Sequence, residues 1–203
     1  KELIGGKLYN ASVEVALSNN YIDEYGINHG PGVEIDGVIW APVNCGYHKD
    51  DFKYGKLYQW GRKYGQKHTY GGYVSPLPSF YDGQKAENEN NYYHTGNISQ
   101  SNWFNGSYYN LWNNGTEDSP VKMTFDPCPE GWRVPTKSEF KILSEGNISS
   151  WTQNEANLYG KWFYGNSSSS GIFLPAAGCN EIYPLCELPG DSGTYWTSTP
   201  YSP

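Results

Sequence analysis

The alternation of apolar and polar positions is clearest in the stretch "VEIDGVIW", residues Val33–Trp40. Asp36-Gly37 at its centre is a strong signal for a two-residue hairpin turn, because both turn positions need a positive φ. In that register Ile35 lies opposite Val38, and the two ends of the stretch lie opposite each other on the same side. The pattern therefore predicts a β-hairpin with one buried side.

A helical pattern starts after Thr136. Glu139 follows three residues later, which completes the T-x-x-E signature of a capping box. Phe140 and Leu143 are three positions apart and would form a buried stripe on the helix. Gly146 is a stop signal. The sequence thus predicts a helix from Thr136 to about Gly146.

Other segments carry weaker patterns. Residues 8–17 partly alternate and predict a strand. The segments "GIFLPAAG" and "GTYWTST", which begin at Gly171 and Gly193, also predict strands, and a second short helix is expected over roughly Thr152–Leu158. From Tyr70 to about Ser119 no period persists. Within residues 88–118 nine residues are Asn and seven are aromatic, which indicates a long packed insertion rather than a disordered linker.

Charge limits the classes of partner. The net charge is −7, and only two of the cationic residues are arginines, Arg62 and Arg133. An acidic chain with dispersed lysines is a poor polyanion binder, so nucleic acid and anionic membrane surfaces are not expected partners. No apolar run is long enough to span a membrane. The sequence shows no signal peptide and begins abruptly at Lys1, so we interpret it as a mature or trimmed fragment.

The four cysteines favour an exported, disulfide-bearing protein, because their spacing fits no zinc-ligand pattern. Cys179 and Cys186 bracket a short segment with a proline and are the first candidate pair. Cys45 would then pair with Cys128 or with a partner outside this chain. Buried free thiols are the alternative.

Five segments together resemble a known family. They are "VIWAPVNCG", "YGKLYQWGR", "DPCPEGWRVPTKSEF", "GIFLPAAG" and "GTYWTSTPYS", and they cover most of the chain from about Val33 to Ser202. Their order is similar to that in the paralogous surface-protein domains of Fibrobacter and Bacteroidetes. That family's central motif runs C-P-x-G-W-R-V-P-T-x-x-E-[WF].

The resemblance implies a C-type-lectin-like α+β fold with small twisted antiparallel sheets, one or two short helices and long loops. It implies an N-terminal strand or extension over residues 1–32 and a lectin-like domain over 33–203, with the insertion at about 66–120. Family members usually continue beyond the "YWTST" element with further strands. We therefore expect the closing strands to be missing from this chain and a sheet edge to be left open.

Each residue of the family motif is explained by a structural role. Thr136 and Glu139 are explained by capping. Trp132 is expected in the core, and Arg133 is expected to satisfy loop carbonyls or a carboxylate with its planar guanidinium group. The alternative is that Trp132 or Arg133 contacts a ligand. No catalytic residue is predicted.

Candidate binding residues lie on either side of the motif. Glycan recognition needs aromatic platforms beside amide or carboxylate groups. The insertion supplies Trp103, Tyr108, Tyr109, Trp112, Asn113 and Asn114, and the segment after Cys179 supplies Asn180, Glu181 and Asp191. The alternative for the aromatic rings is packing against the core.

No cofactor is predicted, although calcium remains an alternative. The segment "NEIYPLCELPGD" offers Asn180, Glu181, Glu187 and Asp191 as oxygen ligands, but no lectin-type Glu-Pro-Asn or Gln-Pro-Asp triplet occurs. The expected function is an extracellular bacterial surface module for adhesion or glycan recognition, as found in exported lipoproteins and at fimbrial tips. Its partners would be glycans, host or bacterial surface proteins, or other fimbrial subunits.

Two alternatives of other classes remain. The first is a structural or assembly domain that is completed by pairing with a partner strand. The second is a copper-dependent oxidase, because the lectin-like fold is shared by formylglycine-generating enzymes, whose R-L-P-T-E-A-E-W motif is similar to Arg133–Phe140. Those enzymes use two reactive cysteines near the C-terminal end, and only Cys179 and Cys186 could correspond to them. Their surroundings differ from the enzyme's.

Overall fold

The computed structural model describes residues 20–58, 60–65, 110–165, 170–179 and 189–199, together with the backbone of 73–74 and 93–94. The strands in chain order are β1 Asn20–Ile22, β2 Asn28–Pro31, β3 Val33–Ile35, β4 Val38–Trp40, β5 Tyr73–Val74, β6 Tyr93–His94, β7 Asn147–Ile148, β8 Thr152–Gln153, β9 Tyr159–Tyr164 and β10 Gly171–Pro175. Helix α1, Lys137–Glu145, precedes β7. The described residues are thus mixed α+β, with one helix and small sheets that are antiparallel except for the β5–β6 pair.

The predicted hairpin is confirmed. Strands β3 and β4 pair antiparallel with Ile35 opposite Val38, and both Asp36 and Gly37 have positive φ. Ile35 is fully buried and Trp40 nearly so. The turn adopts this geometry because Gly has no Cβ to clash and Asp tolerates the left-handed region.

Helix α1 is confirmed with its capping box. The Thr136 side chain accepts from the Glu139 N–H, and the Glu139 side chain accepts from the Thr136 N–H. Gly146 ends the helix in an extended conformation, and its N–H donates to the Leu143 carbonyl. Leu143 is fully buried in a core with Ile35, Trp40 and Ile172, and Phe140 packs against this core. The helix therefore lies on the side of the hairpin that the sequence pattern predicted to be buried.

The largest sheet has the order β10–β9–β7, and β8 pairs with a further part of β9. The strand predicted at Gly171 is confirmed as β10. The helix predicted over Thr152–Leu158 is wrong, because these residues form β8 and a turn into β9. The Asn154 side chain accepts from the N–H groups of Ala156 and Leu158, and Asn157 has a positive φ. This Asx-type turn competes with a helix for the same donors.

The strand predicted over "GTYWTST" is also wrong. Apart from an isolated bridge between Gly193 and Gly178, residues 193–199 run as irregular backbone. Side chains hold this segment instead. The Tyr195 hydroxyl donates to the Pro175 carbonyl over 2.6 Å, and the Trp196 indole N–H donates to the Tyr58 carbonyl over 2.7 Å. Its aromatic residues therefore act as anchors rather than as strand formers.

The strand predicted over residues 8–17 lies outside the described residues, as does most of the predicted insertion. The described N-terminal part is the β1–β2 pair, whose connecting loop is organised by Asp23. The carboxylate of Asp23 accepts from the N–H groups of Tyr25 and Ile27 and contacts His29 Nε2 at 2.7 Å. A search of the described residues for a helix able to cross a membrane found none.

Candidate functional site

The motif segment 126–135 is held by one buried carboxylate. Asp126 is 2% exposed, and its two oxygens accept from the N–H groups of Cys128 and Val134 at 2.8 and 2.9 Å. Lys122 Nζ donates to the same carboxylate and to the carbonyls of Cys128 and Trp132. Both ends of the turn are therefore bonded to one ion pair, Lys122–Asp126.

Arg133 and Glu139 form a second tie. The Arg133 guanidinium group donates to both Glu139 carboxylate oxygens, at 2.8 and 2.5 Å. Burial alone would raise the pKa of Glu139, but hydrogen bonds from Arg133 and the Thr136 N–H lower it overall. The same carboxylate thus serves the capping box and the arginine. Trp132 packs edge-on against Tyr21 and is half-buried.

A cavity of about 660 Å³ lies between the β3–β4 hairpin, the motif segment, β10 and the irregular segment around Tyr195. Its wall is mostly apolar and aromatic. The aromatic and aliphatic lining residues are Tyr21, Val38, Ile39, Trp40, Ala41, Val43, Tyr54, Leu57, Tyr58, Trp112, Trp132, Val134, Phe140, Ile172, Leu174, Ala177, Tyr195 and Trp196. The polar lining residues are Asn44, Lys56, Arg133, Glu139 and Thr194.

Trp196 combines exposure with a fixed position in this wall. Its side chain is 50% exposed, although its indole N–H is bonded to the Tyr58 carbonyl and its ring packs edge-on against Trp112. Neighbouring Tyr195 stacks on Phe140. Burial raises the pKa of Tyr195, so its hydroxyl stays protonated and can keep donating to the Pro175 carbonyl. The wall thus presents an ordered, solvent-accessible indole.

Three cysteines line the cavity: Cys45, Cys128 and Cys179. All three are free thiols in this structure. The interaction with the Cys128 side chain lowers the pKa of Cys45, whereas the same interaction and burial hold the pKa of Cys128 well above its usual range. The predicted Cys179–Cys186 pairing stays a prediction, because Cys186 lies outside the described residues.

The residues predicted for glycan binding are placed as follows. Trp112 is 1% exposed, and its indole N–H donates to the Arg62 carbonyl. Asn113 is also buried, and its side-chain oxygen accepts from the N–H groups of Gly115 and Val121. These two residues therefore hold the local fold. Asn114 is exposed. Trp103, Tyr108 and Tyr109 lie outside the described residues, and a binding role for the predicted cluster stays a prediction.

The residues that could serve as calcium ligands under the alternative left open by the sequence lie mostly outside the described residues. Asp191 is exposed in a turn, and Asn180, Glu181 and Glu187 lie outside the described residues. Within the described ranges, no group of three or more His, Cys, Asp or Glu side chains is positioned to hold a metal ion. The expectation that the chain holds no cofactor, with calcium as the alternative, therefore stays a prediction.

Comparison with family models, with curated proteins and with solved structures found no match for this sequence.

The cavity is the feature that sequence reasoning missed. Its wall combines Val38, Cys128, Leu174 and Trp196, which are far apart in the chain. One signal was available, since the "GTYWTST" segment carries two adjacent aromatic residues, Tyr195 and Trp196. Which of the rings would be buried and which would remain accessible depends on long-range packing.

Proposed function

We propose that this chain is an exported bacterial surface module that binds a ligand in the cavity and carries out no chemistry. The observation that carries the proposal is the cavity of about 660 Å³, whose volume lies within the range typical of ligand sites and whose wall is mainly apolar with a few polar groups. Adhesion to a glycan or to a host or bacterial surface protein is the proposed role, including a role at a fimbrial tip.

The proposed fold is C-type-lectin-like. Support comes from the order of the five family-like segments and from the motif segment, where Asp126, Thr136 and Glu139 give a capped helix after a rigid turn. This part of the proposal concerns the scaffold. The ligand is a separate question, because similar scaffolds carry unrelated sites.

Glycan recognition at the cavity would use Trp196 as the platform. A sugar's apolar face packs on an aromatic ring, and its hydroxyls need amide, hydroxyl or charged neighbours. Asn44, Lys56 and Thr194 line the same cavity and are of these types. Trp196 is therefore a better-placed platform than Trp112, which is buried.

A glycan and matrix-protein array tests this role with two matched variants. Trp196→Ala removes the half-exposed indole in the cavity wall, and Trp151→Ala removes an equally exposed indole that does not line it. We expect wild type and Trp151→Ala to bind the same array member and Trp196→Ala to lose at least tenfold in affinity. Trp196→Phe separates loss of the ring from loss of the bond to Tyr58. Binding by none of the proteins, or equal loss in both alanine variants, would contradict the proposal.

A second candidate function is assembly by strand addition, and the placement of β4 and β10 favours it. Among the described residues, each of these strands pairs on one side only, β4 with β3 and β10 with β9. Val38 and Trp40 from β4 and Ile172 and Leu174 from β10 line the same cavity. An extended segment with alternating apolar residues could bond to an open strand edge and fill the cavity with its side chains.

The hairpin geometry gives a sharp test of strand addition. In a two-residue hairpin the pair beside the turn, Ile35 and Val38, is hydrogen-bonded, so the N–H of the next residue, Ile39, points away from β3. Ile39→Pro removes that outward donor without removing a β3–β4 bond. Glu34→Pro does the same on the opposite edge of the hairpin, and Ile39→Ala controls for the side chain.

The readout is the rise in melting temperature on adding fimbrial subunits or extended peptides with alternating apolar residues. Strand addition at β4 predicts a rise for wild type, Ile39→Ala and Glu34→Pro, and a much smaller rise for Ile39→Pro. A rise of equal size in both proline variants would exclude the β4 edge as the docking site.

A further inference from the structure

The side chains of Cys45 and Cys128 both line the wall of the cavity. Cys45 Sγ lies 3.2 Å from the carbonyl oxygen of Pro127 and 3.2 Å from the Tyr58 hydroxyl. Cys128 is the residue after Pro127, so the Cys45 thiol contacts the backbone immediately before Cys128. Two cysteines far apart in sequence are therefore brought to one site.

The backbone on both sides of this contact is already fixed. The Cys128 N–H donates to Asp126, and its carbonyl accepts from Lys122 Nζ. The Cys45 carbonyl accepts from the Lys56 N–H at 3.1 Å, and a turn bond from Tyr47 to Asn44 closes the segment around it. Because both backbones are held by other bonds, joining the sulfur atoms requires little further ordering of the folded chain.

We propose that Cys45 and Cys128 form an intramolecular disulfide when the protein meets a disulfide oxidant. The Cys45 thiolate attacks one sulfur of a small-molecule or protein disulfide, RSSR, and releases one RS⁻. The Cys128 thiolate then attacks the Cys45 sulfur of the mixed disulfide and releases the second RS⁻. Two protein thiols are oxidised, one RSSR is reduced to two RSH, and the two thiol protons pass to the released thiolates.

The geometry assigns the nucleophile as well as the pair. Cys45 is the attacking thiol because the Tyr58 hydroxyl, 3.2 Å from Cys45 Sγ, can donate to its thiolate, and the pKa of Cys45 is lowered. Cys179 lines the same cavity, but Cys45 Sγ lies against the carbonyl of Pro127, the residue before Cys128. The inference is independent of the proposed ligand-binding function, and it selects Cys128 as the partner of Cys45 from the alternatives that the sequence left open.

Peptide mapping of the full chain tests the proposal. The folded, reduced protein is equilibrated with oxidised glutathione, free thiols are alkylated, and the digest is analysed by mass spectrometry without reduction. We expect a linked peptide that contains Cys45 and Cys128. Alkylation of both residues, or linkage of either one to Cys179 or Cys186, would overturn the proposal.

A melting experiment gives a second readout that does not depend on the other cysteines. The variant Cys179→Ser/Cys186→Ser should melt about 5–15 °C higher after oxidation than after reduction, because the disulfide closes a long loop. Adding Cys45→Ser or Cys128→Ser to that background should remove the difference. If the difference persists in either triple variant, or is absent in the double variant, the assignment is wrong. In either case the array result for the ligand-binding role is unaffected.

Discussion

Replacing Asp126 by alanine should destabilise the protein more than any other single change in the motif segment. Asp126 is 2% exposed and accepts from the N–H groups of Cys128 and Val134. The alanine variant leaves both donors without their acceptor in a region that water cannot easily reach. It also removes the anion that faces Lys122 Nζ, although this amine keeps its bonds to two backbone carbonyls.

The loss of unfolding free energy is estimated from the two buried N–H groups, those of Cys128 and Val134, that lose their acceptor. A buried N–H that loses its acceptor costs about 1–3 kcal/mol, so the pair gives about 3–5 kcal/mol after partial relaxation. Domains typically unfold with about 5–15 kcal/mol, so the variant should still fold but be much less stable. Asp126→Asn keeps one acceptor oxygen and turns an amide donor toward the other N–H, so its loss should be intermediate.

Urea unfolding followed by tryptophan fluorescence measures these differences. The matched control is Asp118→Ala, since Asp118 is an exposed aspartate in the preceding segment. The control should unfold within about 0.5 kcal/mol of wild type. If the unfolding free energy of Asp126→Ala lies within about 1 kcal/mol of that of the control, the hydrogen bonds of Asp126 do not hold the motif segment in place.

Three further changes test other parts of the structure. Leu143→Ala should lower the free energy of unfolding by about 2–5 kcal/mol, because this fully buried side chain lies in the core cluster. A decrease of less than about 1 kcal/mol, as is typical of exposed positions, would show that the helix does not pack on the core through Leu143. Glu139→Gln should cost about 1 kcal/mol at pH 7. The folded pKa of Glu139 is lowered, so its contribution is present above the ordinary carboxyl range and is lost as pH falls through the folded value. The difference in unfolding free energy between wild type and variant should therefore shrink as the pH falls below the ordinary carboxyl range, and a constant difference would contradict the assignment. Gly160→Ala should cost about 1–3 kcal/mol, because an added Cβ would lie about 2.7 Å from the Phe173 ring; thermal melting within 1 °C of wild type would contradict the close approach of β9 and β10.

Local signals in the sequence were enough to predict the hairpin and the helix. Asp36-Gly37 specifies a turn by backbone sterics alone, and Thr136 with Glu139 specifies a helix start by two short-range hydrogen bonds. Both elements depend on residues within four positions of each other. Such features can be predicted without knowing what packs against them.

The errors arose where a side chain redirected the backbone or where packing was long-range. Asn154 captures two N–H groups that the predicted second helix would have needed. Tyr195 and Trp196 have high strand propensity, but their polar atoms bond to the carbonyls of Pro175 and Tyr58, which no local pattern announces. The burial of Trp112, which the sequence left open as an alternative to binding, also depends on a distant partner, the Arg62 carbonyl.

Hydrogen–deuterium exchange on the ligand complex tests most directly whether the cavity is the binding site. The full chain is measured alone and with the glycan, surface protein or peptide that binds it in the assays above. We predict new protection in the segments that line the cavity, residues 38–45 and 193–196, and none in the turn 154–158, which lies outside it. Protection at 154–158 or in the predicted insertion, with unchanged exchange at 38–45 and 193–196, would contradict the central claim that the cavity holds the ligand.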